Sequence, residues 1–220
     1  MMELSREIIE ENFKTFLDLL EPAVTSREGA NWERLKAKLE NSDFMTAPAS
    51  TKYHASYAGG LVDHSLNVYY NLCSLVKSKH LEDKIPSDSI AICALLHDFS
   101  KMNLYTTTVR NKKYYYDAGS KYDELGRFDW VSEMTYTTKP DSERFIYGNH
   151  EETSEFMVRT YIPLKYEESM AILHHHMGMS YDSTQGNSAM NAASKFPLVA
   201  LLHMADFIAA AIDEKEDLYE

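Results

Sequence analysis

Cysteine is nearly absent from the 220 residues: Cys73 and Cys93 stand alone, without Cys-x-x-Cys spacing, each in an apolar stretch. A disulfide scaffold is excluded, and a reducing compartment fits. Long apolar runs are missing too, and none approaches the roughly 18–20 residues of a membrane span. The opening residues Met1-Met2-Glu3-Leu4-Ser5-Arg6-Glu7 alternate charge around no apolar core, so no signal peptide is expected. The cytoplasm is the expected compartment, with no membrane partner. Eight glycines and six prolines never cluster into a linker, and there is no internal repeat. Positive charge is in deficit: 22 Lys and Arg against 34 Asp and Glu leave a net charge of −12. That argues against a basic surface for duplex DNA.

What remains is a chain that can bury a core, with 44% hydrophobic residues, of a length that suits one domain. Apolar spacing predicts helices over 3–20, 32–39, 61–76, 88–98, 165–176 and 196–213. Pro86 followed by Ser87 and Asp88 marks a helix start, and Pro197 suits a first turn. Residues 102–147 differ: Tyr105 to Val109, Tyr114-Tyr115-Tyr116 and Met134 to Thr138 are rich in Tyr, Thr and Val. That composition favours strands and turns. The expected fold is all-α, a helical bundle with a β-hairpin or three-stranded insertion at 102–147. Residues 1–50 supply N-terminal helices packed on a core formed by 51–220.

Nine histidines are present, and several sit where a charge is out of place. His64 shares a helix face with Leu61 and Val68. His97-Asp98 closes the apolar run from Ile90 to Leu96. His174-His175-His176 follows Ile172-Leu173, and Asp206 is bracketed by Leu202, Ala205, Ala209 and Ala210. One such residue reads as a satisfied core polar group. Four helices with the same feature point to one shared partner, because buried ionisable groups are costly unless paired or ligating. A divalent cation satisfies imidazoles and carboxylates together.

The order His64, His97-Asp98, Asp206 resembles the H…HD…D signature of the HD-domain metal-dependent phosphohydrolases. The surroundings agree. Gly59-Gly60-Leu61-Val62-Asp63-His64 is similar to the family's GGL..H helix. Leu95-Leu96-His97-Asp98-Phe99-Ser100-Lys101 is similar to its LLHD.GK turn, with Ser100 where Gly is usual. The resemblance covers about residues 53–212. It implies that His64, His97, Asp98 and Asp206 hold a first metal. Gly148-Asn149-His150 with Ser154, and His175-His176, resemble a second set found in the branch with 3′–5′ exoribonucleases. Met177-Gly178 is similar to the HMG ending of uncharacterised bacterial HD hydrolases. His150 with His175 or His176 would complete a second site bridged by Asp98, giving two cations about 3.5–4 Å apart. Mn, Mg, Ni, Fe and Zn are not distinguished. Adjacent helix residues differ by about 100°, so the three histidines cannot all face a metal.

In this reading metal-bound water attacks phosphorus, with Asp98 and Lys101 as the catalytic pair. Lys101 either neutralises a phosphate oxygen or is an exposed helix-end lysine. Arg110, Lys112 and Lys113 approach an anionic substrate or lie in a solvated turn, and of Tyr114, Tyr115 and Tyr116 at least one is core. His54 contacts substrate or caps a loop. His203 either orients Asp206 or is a core histidine, His80 is surface, and the charged run from Asp213 to Asp217 is a solvated end. The expected substrate is a nucleotide or a short oligonucleotide, because an acidic protein suits small anions better than a duplex. The cyclic-dinucleotide HHE…GYP run is absent, since residues 177–182 read Met-Gly-Met-Ser-Tyr-Asp. Two other readings stand beside this one: a di-iron HD-fold oxygenase, and a nucleotide sensor without turnover.

Overall fold

The computed structural model describes residues 4–145, 148–176 and 183–215; Met177, Gly178 and the rest of 177–182, like Glu216 and Asp217, lie outside them. The described residues are predominantly helical, with one three-stranded antiparallel sheet. Helix α1 (Arg6–Thr25) starts at Ser5, whose hydroxyl accepts from the Ile8 amide. It runs past its expected end and through Pro22, because Ala23 and Val24 continue the buried face of Ile9, Phe13, Phe16 and Leu20. Helix α2 (Trp32–Glu40) is capped by Asn31 and buries Trp32, Leu35 and Leu39. Helices α3 (Gly60–Ser78) and α4 (Ser87–Leu96) come next. The cap expected from Ser87 or Asp88 is absent; Pro86 holds that position without a side-chain bond.

Two apolar clusters meet along α3 and α4. The first joins Phe16, Leu20, Leu35 and Phe44 to Leu61 of α3 and Ile92, Leu95 and Leu96 of α4. The second joins Val68 and Leu72 of α3 and Cys93 and Ala94 of α4 to later helices. Every residue of α4 from Ser89 to Leu96 is buried, so α4 is apolar all round, as a central helix must be. Its last turn therefore delivers His97 and Asp98 into the middle of the protein, where both are buried.

The sheet lies between Lys101 and His150, as the composition predicts. Strand β1 (Tyr105–Tyr115) pairs with β3 (Gly126–Thr138) from Tyr105 opposite Thr138 to Tyr115 opposite Phe128, and β2 (Lys121–Asp123) adds to the other edge of β3. The Lys139 amide donating to the Leu104 carbonyl at 2.9 Å closes its base. Phe128 is buried, whereas Val109, Trp130 and Met134 on one face and Tyr114 and Val131 on the other are exposed. Tyr114, Tyr115 and Tyr116 are all exposed, so none is core.

Helix α5 (His150–Arg159), which the apolar spacing does not predict, is closed by a capping box between Asn149 and Glu152. Helix α6 (Tyr166–Leu173) ends three residues early, leaving His174, His175 and His176 in a turn. Helix α7 (Ser183–Lys195) precedes α8 (Pro197–Ile208), which has Pro197 in its first turn and runs on as a π-helical turn, Ala209–Asp213. No single described helix is long and apolar enough to cross a membrane.

Candidate metal centre

Each candidate ligand arrives at the end or on the inner face of a helix. Gly59, with φ of +82°, adopts a backbone that side chains resist, and a Cβ on Gly60 would lie 2.0 Å from the Ala55 carbonyl oxygen. The paired glycines thus let the segment before α3 fold tightly over its first turn, where His64 is fully buried. His97 and Asp98 emerge from α4, Asp206 from the buried side of α8, His150 from the start of α5, and His175 and His176 from the turn after α6.

These elements place the predicted groups together. His64 Nε2 lies 3.2 Å from His97 Nε2, 3.1 Å from Asp206 Oδ1 and 3.7 Å from Asp98 Oδ2. His97 Nε2 lies 3.3 Å from Asp98 Oδ2. The other oxygen of the same carboxylate, Asp98 Oδ1, is 3.7 Å from His175 Nε2 and 3.8 Å from His150 Nε2. His176 Nε2 is 3.4 Å from Asp206 Oδ2. Ligands bonded at about 2.0–2.2 Å to one cation stand roughly 3.0–3.5 Å apart as neighbours. Asp98 Oδ1, His150 Nε2 and His175 Nε2 are all buried without a hydrogen-bond partner among the described residues.

The opposite ring nitrogens explain the polarity of the cluster. His97 Nδ1 bonds the Ala94 carbonyl at 2.8 Å and His175 Nδ1 bonds the Ile172 carbonyl at 2.7 Å. A carbonyl can only accept, so the ring hydrogen sits on Nδ1 and Nε2 is left with its lone pair. His64 Nδ1 meets Glu214 at 2.8 Å, and His150 and His176 share the two oxygens of Glu151 at 3.0 and 2.9 Å. When neutral, five imidazoles therefore turn acceptors toward two carboxylates, with Lys101 Nζ a donor 2.6 Å from Asp98 Oδ2. Carbonyl or carboxylate partners on Nδ1 are what orient metal-ligating histidines.

Electrostatics keep the carboxylates, His150 and His175 in ligating form, and favour a proton on His64 and His176. Burial opposes the charge on Asp98, yet Lys101 and His97 hold its carboxyl well below the usual range; His64 does the same for Asp206. Burial works against Glu151 too, but the His176 hydrogen bond and His150 bring it down to about 2. Burial and the neighbouring imidazoles push His175 down to about 3, and burial lowers His150. His64 moves the other way: burial disfavours its charge, but Glu214 and Asp206 raise it to about 10. Where no cation sits, a proton on His64 takes that place.

Several sequence expectations are corrected. Lys101 is buried, so it is not an exposed helix-end lysine. Ser100, standing where the resemblance has Gly, donates to the His150 carbonyl and meets Ser154, tying the turn after α4 to α5. His54 has its ring 4.9 Å from that of His64, and its Nε2 is buried without a partner among the described residues. His203 bonds the His175 carbonyl at 2.7 Å, so it braces His175 and not Asp206. His174 lies outside the cluster, and His80 is exposed. Arg110 and Lys112 are exposed on β1, roughly 16 and 23 Å of strand beyond Tyr105 at 3.3 Å per residue. Lys112 faces Glu133 at 3.9 Å, and neither cation joins the histidines. Sequence reasoning misses two carboxylates. Glu151 has a signal, since it adjoins His150. Glu214 has none: it sits in the charged run read as a solvated end, yet its side chain is 1% exposed against His64.

A cleft of about 310 Å³ opens beside the segment after His54, lined by Ser56, Tyr57, Thr107 and Tyr136. Fold and site together define a mainly helical protein with a buried histidine–carboxylate centre in which four overlapping groups of residues stand within metal-ligating reach. No family model, curated protein or solved structure matches the chain.

Proposed function

We propose that this protein is a metal-dependent phosphohydrolase of the HD type that cleaves a phosphate ester of a nucleotide or short oligonucleotide, working in the cytoplasm. One observation carries the reading: the Nε2 atoms of His64, His97, His150, His175 and His176 converge on Asp98 and Asp206, and with neutral rings all five turn lone pairs to the same place. Such a set is costly to bury unless a cation occupies it. One divalent cation would be held by His64, His97, Asp98 and Asp206. A second would be held by Asp98, His150 and His175, with His176 alongside. Bound there, they would supply Lewis acidity and a water of lowered pKa.

The chain's own groups do the rest. Asp98 offers one oxygen to each position. Lys101, buried and cationic beside Asp98, offsets charge on a phosphoryl oxygen that comes within its reach. In the cleft beside the segment after His54, the half-buried Tyr136 would offer its ring to a base. Arg110 and Lys112, exposed well along β1 from Tyr105, would meet a longer strand. The test is a panel of nucleotides, cyclic dinucleotides and short single strands, incubated with protein loaded separately with Mn, Mg, Ni, Fe or Zn. Released phosphate or shortened strands are expected. Nucleotide binding without turnover by metal-loaded protein would make it a sensor, and oxygen consumption by the iron-loaded form would make it an oxygenase.

A further inference from the structure

Next to the centre, the structure leaves two further buried side-chain polar atoms unmet. Neither His54 Nε2 nor Glu214 Oε2 has a hydrogen-bond partner among the described residues. Glu214 is held by its other oxygen, which accepts from His64 Nδ1 at 2.8 Å and from Asn67 at 3.4 Å. His54 is anchored through its backbone, with Ser50 Oγ accepting from its amide at 3.0 Å and donating to its carbonyl at 2.7 Å. His54, His64 and Glu214 bring ligating atoms within 4.8 Å of one another. His64 uses Nδ1 for Glu214 and turns Nε2 to the main centre, so it is a neighbour of this position and not a ligand.

A proton shared between His54 and Glu214 would make a hydrogen bond, and none is formed. A bridging water would satisfy both atoms, but once His64 ligates the main centre its ring is neutral and no longer offsets the buried Glu214 charge. Asp63 adds another carboxylate here, already accepting from Tyr57 and Asn12. Lys101 is committed to Asp98. Charge and vacant lone pairs therefore call for a cation.

We infer that His54 Nε2 and Glu214 Oε2 form a third divalent-cation position, separate from the pair and completed by water or a substrate phosphate oxygen. The inference rests on the two-cation reading of the main centre. One imidazole and one carboxylate suit Mn, Fe, Ni or Zn better than Ca. With two protein ligands, this cation binds more weakly than the pair and leaves open positions for an anion.

The experiment is equilibrium dialysis of the full chain against Mn²⁺ with inorganic phosphate, followed by metal and protein analysis. Wild type is expected to hold three Mn per chain. His54→Ala and His54→Gln, each checked for an unchanged unfolding transition, are expected to hold two. Two Mn in the wild type, or three retained in both variants, overturns the third position and leaves the pair intact, with a water between His54 and Glu214. Zero or one in the wild type overturns the two-cation reading and this inference with it.

Discussion

Asp98 is the residue on which both proposed cation positions depend, because its two oxygens face different histidine groups. Asp98→Ala is expected to empty both positions and abolish hydrolysis, while His150→Ala empties only the second. Elemental analysis of purified variants with a parallel melting curve checks this, and full metal content in folded Asp98→Ala protein would sink the ligand assignment. Glu151 acts one step back. A single carboxylate fixes the rings of His150 and His176 through their Nδ1 atoms. Glu151→Gln should weaken the second cation about 10–100-fold while sparing the first, read by competition with a chelator. The ligands themselves are legible in the sequence because a histidine or aspartate inside an apolar run breaks a strong pattern. Glu214 is not, because a carboxylate in a charged run breaks none.

Among the elements, Arg27 just beyond α1 ties three helices together. Its guanidinium lies 2.7 Å from Asp88 at the start of α4 and bonds the fully buried Glu168 of α6, which also takes a hydrogen bond from Ser89. Burial alone would raise the Glu168 carboxyl, but Arg27 and Ser89 hold it below its ordinary 4.5. A depressed folded value stabilises the fold fully above the unfolded value, and that stability is lost as pH falls through the folded one. Arg27→Met should cost about 3 kcal/mol at neutral pH by stranding a buried carboxylate. The gap between variant and wild type should narrow as pH falls below the ordinary 4.5 toward the depressed Glu168 value. Urea unfolding at pH 7 and pH 3 measures both, and a gap independent of pH would refute the assignment. Helix α5 and the break after α6 escape the periodicity of apolar residues. The first is short and begins on a polar cap, and the second is set by the bonds that His175 and His176 make to Ile172 and Glu151.

At the scale of the molecule, the sheet and the helices divide the work. Tyr105 and Thr138 are paired at the base of the hairpin, so the chain can be closed there by a short turn. Replacing residues 107–136 with a Gly-rich turn is expected to leave a cooperatively folding helical protein with unchanged metal content. Turnover of any substrate that relies on Thr107 and Tyr136 in the cleft should fall. Metal analysis and a melting curve decide, and loss of bound metal would mean that the sheet helps build the centre.

The sequence by itself determined the helical character, the place of the β insertion and the residues that meet at the centre. Each of these rests on local periodicity, local composition or an apolar context broken by one ionisable group, all of which are visible along a line. Only the tertiary structure decided which nitrogen of each histidine faces inward, because that depends on carbonyls and carboxylates brought from elsewhere. It also decided that Lys101 is buried and that Arg110 and Lys112 stand far out on a strand. And it carried Glu214, 150 residues beyond His64 in the chain, to within 2.8 Å of its ring. Contacts between segments so distant depend on how α3 and α8 pack, and spacing along the chain holds no record of that.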